Sequence, residues 1–221
     1  SSFVREKLSY VVDNVEDKRS RLLKLVDKIK SSVIVYVGSR KSAKEITNFL
    51  INNNYSANYY HGGLAAKVRT ERQESWTQNQ TRIMVATNAF GMGIDKPDVK
   101  LVVHLELPST IEAYFQESGR AGRNGKQAYA FLLANKGDIK KQQDLLNLRY
   151  PSIIEIKLVY QNLANYFQLA ENELPEQEIS FNMINFTERY KMNSLKVYNI
   201  LKYLEKEEYI KLSEAIHSSS K

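Results

Sequence analysis

Four short apolar runs constrain this chain more than anything else in it. VIVYV (33–37), RIMVAT (82–87), LVVHLEL (101–107) and AYAFLL (128–133) are nearly continuous apolar stretches, the first built almost wholly of β-branched residues. That is the pattern of strands covered on both faces. SANYY (56–60) is a weaker strand of the same kind. Between the runs the apolar spacing turns helical. KRSRLLKLVDKI places Leu22, Leu23, Leu25, Val26 and Ile29 on one broad face, and a helix after Arg40 carries Ile46, Phe49 and Leu50. KVRTERQESW and TIEAYFQESG complete the alternation. Strands alternating with helices predict an α/β domain, a parallel sheet with helices on both faces. Ligands of such sheets bind beyond the carboxyl ends of the strands. The loops after VIVYV and RIMVAT, and the stretch before AYAFLL, are therefore where function is expected.

Composition narrows the classes of function. The 221 residues suffice for one sizeable core, or a mid-sized domain with a smaller one. No apolar run approaches the roughly 18 residues of a membrane span, and SSFVREKLSY has no apolar segment of the kind a signal peptide carries. There is no cysteine, which excludes disulfides and thiolate metal sites, and the three histidines are scattered. The reading is a protein without a metal centre, in a reducing compartment such as a bacterial cytosol or nucleoid. The net charge of +7 lies entirely in residues 1–135, which hold 20 Lys and Arg against 13 Asp and Glu. Residues 136–221 hold 12 of each. An acidic partner is expected at the first part.

The densest signal is YFQESGRAGRNG (114–125), with Arg120 and Arg123 among three glycines and Gln116 four residues ahead of Arg120. A guanidinium is permanently charged and forked to match phosphate oxygens. Glycines beside it permit close approach. In RIMVATNAFGMGIDKPDV (82–99), Thr87 ends a strand, and Asp95 follows Gly91, Gly93 and Ile94, where a carboxylate can accept ribose hydroxyls. VIVYVGSRKSAKEI sets Ser39 and Arg40 between strand and helix, a phosphate-binding position, and YYHGGL sets His61 before Gly62 and Gly63. Taken singly, Ser39 reads better as a helix cap, Asp95 as a turn residue and His61 as a surface histidine. Four such loops in this order outweigh those readings.

Together these motifs resemble the second RecA-like motor domain of a superfamily 2 helicase, more narrowly the RecQ family of DNA helicases. VATNAFGMGIDKPDV and YFQESGRAGRNG are similar to that family's fifth and sixth motifs, and VIVYVGSRKSAKEI to its fourth. The resemblance implies an ATP-dependent DNA helicase, moving 3′-to-5′, with roles in DNA repair and recombination. It implies that Arg120 and Arg123 reach the γ-phosphate of ATP held with Mg2+ mainly by another motor domain, Arg123 being the finger. Gln116 would couple nucleotide to DNA, and Asp95, with Gly93 beside it, would meet the nucleotide's ribose. Ser39, Arg40, His61, Gly62 and Thr87 would grip the backbone of single-stranded or forked DNA.

The departures are as informative. The chain contains neither G-x-x-x-x-G-K-[ST] nor any Asp-Glu dipeptide. The first motor domain is therefore expected elsewhere in the same protein, and this chain is expected to be inactive alone. The four-cysteine zinc module that the family usually carries is impossible here, so residues 136–175 are read as a zinc-free helical connector. Residues 176–221 read as a winged helix-turn-helix-like domain: INFTERYKM and NSLKVYNILKYLEKEEY as helices, then YIKLSE as a short strand. Two rivals stand beside this reading. One is an RNA helicase of the same superfamily. The other is a non-catalytic regulator that binds DNA through the winged helix.

Overall fold

The computed structural model describes residues 7–91, 94–169 and 178–213. The chain divides between Ile139 and Lys140 into two compact units.

The first unit is one six-stranded sheet, every pairing parallel. Its strands are β1 (Leu8–Asn14), β2 (Ser32–Tyr36), β3 (Ala57–Tyr60), β4 (Ile83–Ala86), β5 (Val99–His104) and β6 (Ala128–Ala134), in the spatial order β1-β6-β5-β2-β4-β3. All residues of β2 and β4 are buried, as continuous apolar runs require. Alternate residues divide between two cores. Val33, Val35, Ile83, Val85, Leu101 and Val103 meet α1 (Lys18–Lys28) and α2 (Arg40–Asn52) on one face through Leu22, Val26, Ile46 and Leu50. On the other face, Ile34, Tyr36, Met84 and Val102 meet Trp76 of α3 (Ala66–Thr77) together with Phe90, Ile94 and Ala121. The same face carries α4 (Ile111–Ser118), tied to His104 of β5 through Glu117. The α/β architecture with a parallel sheet is thus the one the sequence pattern predicts.

Two features were not anticipated. LSYVVDN forms β1, an edge strand paired with β6 from Leu8↔Ala128 to Asn14↔Ala134. Between β4 and β5, where the sequence places a candidate ligand loop, Phe90, Ile94 and Lys96 are all at most 8% exposed. Lys96 is satisfied in the interior by Thr77 O at 2.9 Å, Asn79 Oδ1 at 2.8 Å and Asp98 at 3.0 Å. A buried ammonium persists only with such partners.

In the second unit, α6 (Ile153–Phe167), α7 (Met183–Arg189) and α8 (Ser194–Lys206) share one core of Ile156, Val159, Leu163, Phe186, Val197, Ile200, Leu201 and Leu204. The connector helix and the C-terminal helices therefore pack as one body. Ser152 and Glu155 form a capping box at the start of α6, and Asn193 caps α8. Before them, α5 (Lys136–Arg149) crosses the division between units and has no buried residue. The expected strand over YIKLSE does not form in Tyr209–Ser213, which is irregular, so the described residues contain helices and no wing. No strand pairing involves it among the described residues; its Ser213 Oγ instead donates to Glu178 Oε2 at 3.2 Å. The expected boundary at 175/176 lies outside the described residues.

Candidate nucleotide and nucleic-acid site

Parallel strands deliver their following loops to one edge of the sheet, and β2, β4 and β3 are neighbours there. Ser39 follows β2 and caps α2, its Oγ accepting from Ser42 N at 3.0 Å. Arg40 begins that helix and is exposed. Its guanidinium lies over Gly63, close enough that a Cβ on Gly63 would stand 2.5 Å from Nη1. His61 follows β3, stacks on Tyr59 at 5.7 Å and is half-buried. Burial, then the neighbouring charges of Arg40 and Arg72, lowers the His61 pKa. Gly62 is exposed, and a Cβ there would only touch Ala89 at 3.6 Å. Thr87 follows β4, its N–H donating to Tyr60 O at 3.1 Å. Ser39, Arg40, His61, Gly62 and Thr87 thus come from separate parts of the chain to one edge of three adjacent strands.

The arginine loop forms a second cluster. Arg123 is exposed, and its Nη1 lies 2.6 Å from Asp95 Oδ1, whose side chain is 81% exposed. Arg120 is buried at 8% exposure, and its Nη1 donates to Gly91 O. The same carbonyl accepts from Ile94 N at 3.1 Å. Gly91 has φ +133, and a Cβ on it would fall onto the Arg120 guanidinium. Only glycine tolerates that backbone beside that cation. Gln116 is exposed on α4. The assignment to Gly93 falls outside the described residues. The structure therefore joins Asp95 to Arg123, presents Gln116 on the adjoining helix, and encloses Arg120.

Beneath this loop lies a polar cluster that sequence reasoning missed. His104 Nε2 and Glu117 Oε2 are 2.9 Å apart, and the His104 ring stacks on Tyr36 at 5.2 Å. Tyr36 OH donates to Phe90 O at 3.1 Å. Burial pushes the Tyr36 phenol pKa up, with the nearby Arg120 charge opposing and the Glu117 charge adding. Its signals were a histidine inside an apolar strand and a glutamate beside Gln116, both visible as LVVHLEL and FQESGR. Among the described residues, no group of three or more His, Asp or Glu is arranged to hold a metal ion.

Residues 17–125 match the helicase conserved C-terminal domain. The chain is 41% identical over 147 residues to the ATP-dependent DNA helicase RecQ of Bacillus subtilis, covering 66% of this chain and 25% of that protein. It is 43% identical over 143 residues to the RecQ-like DNA helicase blm-1 of Caenorhabditis elegans, covering 62% of this chain and 14% of that protein. This chain belongs to the RecQ-type superfamily 2 helicases. It is a C-terminal part of such a helicase, and it spans a quarter or less of the length of these two relatives. Among solved structures, a DEAD box protein from Methanococcus jannaschii superposes with a TM-score of 0.55 at 28% identity, over 65% of this chain and 39% of that one. The RNA-helicase Prp28 from Chaetomium thermophilum, bound to ADP, gives 0.53 at 29% identity, over 65% of this chain and 36% of that one. The six-stranded unit is a RecA-like helicase domain.

Proposed function

We propose that the protein carrying this chain couples ATP hydrolysis to 3′-to-5′ translocation on single-stranded DNA, and so to duplex unwinding. The observation that carries the proposal is the exposed Arg123–Asp95 pair at 2.6 Å, in the same unit as the loop edge of Ser39, Arg40, His61, Gly62 and Thr87. Arg123 is a solvent-accessible guanidinium able to meet phosphate oxygens, and Asp95 a carboxylate able to accept ribose hydroxyls. Mg2+ and the triphosphate are held mainly by a first motor domain, since no phosphate cradle occurs in this sequence. Closure of the two domains brings Arg123 to the γ-phosphate, where its charge stabilises phosphoryl transfer. Arg120, on Gly91 O, holds the Asp95 loop in reach. Gln116 links that event to the strand. On reopening, Arg40, Thr87 and the Ser39 helix start take the backbone one step along. These contacts are to phosphates and carry no base information.

In the protein with both motor domains, Arg123→Ala should lower DNA-stimulated ATP turnover by about 10³-fold or more, leaving strand affinity nearly intact. Unaltered turnover would remove the finger role and favour the non-catalytic regulator. The chain by itself should release no phosphate from ATP. A second reading, an RNA helicase, gains weight from the likeness to the Prp28 structure. The RecQ-type relatives are named as DNA helicases, and competition between matched DNA and RNA strands for the protein decides between them.

A further inference from the structure

We infer that Tyr36 is a positioning residue that couples the nucleotide loop to the strand-gripping loop; the inference rests on the helicase reading above. Tyr36 is the last residue of β2, and the chain reaches Gly38, Ser39 and Arg40 two to four residues later. Its hydroxyl donates to Phe90 O at 3.1 Å. Phe90 precedes Gly91, whose carbonyl receives both Arg120 Nη1 and Ile94 N. Its ring stacks on His104 at 5.2 Å with only 19° between planes, and His104 holds Glu117, the neighbour of Gln116, at 2.9 Å. Tyr36 is 4% exposed, Phe90 1% and His104 1%. One side chain therefore touches the backbone at Phe90 and, through His104, α4, while its own backbone leads into Ser39.

The arrangement is more than packing requires. At the end of a buried strand a phenylalanine fills the same space without needing an acceptor. A phenol commits β2 to a fixed distance from Phe90 O, because a buried hydroxyl without a partner is costly. A shift of Phe90 and Gly91, as Asp95 and Arg123 engage nucleotide, must either carry β2's end with it or break that bond. The nearby Arg120 and Glu117 charges, which act on the phenol in opposite senses, tie its environment to α4 as well. Energetic coupling needs such an element, biased from both sites.

The test is Tyr36→Phe in the protein containing both motor domains. The readouts are ATP turnover without DNA, turnover with saturating single-stranded DNA, strand affinity and melting temperature. Ile34→Val, in the same core cluster but without a polar link, serves as the stability control. The expected result is a stimulation ratio lowered about 3- to 10-fold, within the range for substitutions along a coupling network. Turnover without DNA and strand affinity should stay at the unsubstituted level, and Ile34→Val should keep the ratio. An unchanged ratio in Tyr36→Phe overturns the coupling role. So does a parallel fall of turnover with and without DNA, which marks a purely structural residue. If the unsubstituted protein shows no DNA-stimulated turnover, the helicase reading itself fails, a result distinct from either.

Discussion

Arg120 and Arg123 are the same side chain three positions apart, and their surroundings set them to different tasks. Arg123 stands at the surface against Asp95. An exposed pair of this kind contributes about 0–1 kcal/mol, so a phosphate or ribose can separate it at little cost. Arg120 is enclosed, bonded to a carbonyl on a residue with φ +133. Gly91→Ala should accordingly destabilise the first unit by about 2–4 kcal/mol, since it forces a Cβ into both a positive φ and the Arg120 guanidinium. Urea unfolding followed by fluorescence of Trp76, the chain's single tryptophan and fully buried in that unit, measures it. A change under about 0.5 kcal/mol, the scatter of ordinary surface substitutions, would show that Arg120 moves aside freely. From the sequence the two arginines are indistinguishable, because burial depends on where the 87–98 segment passes.

At the level of elements, the continuous strands were legible because burial on both faces leaves no polar position to confuse the period. β1 was not, since Leu8, Tyr10 and Val12 share one face yet only Leu8 is buried, Tyr10 and Val12 being 39% and 70% exposed, and an edge strand covered at one end only carries a weaker signal. The loops holding Ser39, His61 and Thr87 could be named in advance from their places after strands. Their convergence needed the strand order, with β4 between β2 and β3, which no local pattern reveals. In the helical unit, Glu155 can be tested directly. Its hydrogen bond with Lys196, then those with the Ser152 backbone and hydroxyl, hold its carboxyl at about 2 against a reference value of 4.5. A depressed folded-state pKa stabilises above the unfolded value and is lost as pH falls from 4.5 toward 2. Glu155→Gln should cost about 1 kcal/mol at neutral pH, a figure already reduced for solvent screening, and nothing once the pH is below about 2. Amide exchange in α6 and α8 reads this out; equal protection in both proteins at neutral pH would contradict it.

For the whole molecule, charge and fold divide along nearly the same line, the +7 excess lying in residues 1–135 and none beyond. Binding of single-stranded DNA should therefore weaken steeply with salt, by about 0.7 in log affinity per log salt for each phosphate neutralised. Arg40→Ala should lower that slope by about 0.7, and Lys206→Ala on α8 should leave it unaltered. The reverse pattern would move the main contact to the helical unit. With no cysteine in the chain, exhaustive chelation should leave helix melting, followed by circular dichroism, where it was. A fall of several degrees would reveal a structural metal.

The pairing of β1 with β6 sets a timetable for folding. The first strand of this sheet in chain order, Leu8–Asn14, waits for the last, Ala128–Ala134, and more than a hundred residues separate Leu8 from its partner Ala128. Closing so long a loop before any reward makes this the slow step. Until it is complete, β1 has no neighbour and β5 shows a bare edge where β6 will lie. A nascent chain halted before Ala128 therefore exposes two unpaired strand borders, one at each side of the gap. Intermediates of that kind associate through strand edges, so chains truncated before Ala128 should aggregate while those ending after Ala134 stay in solution.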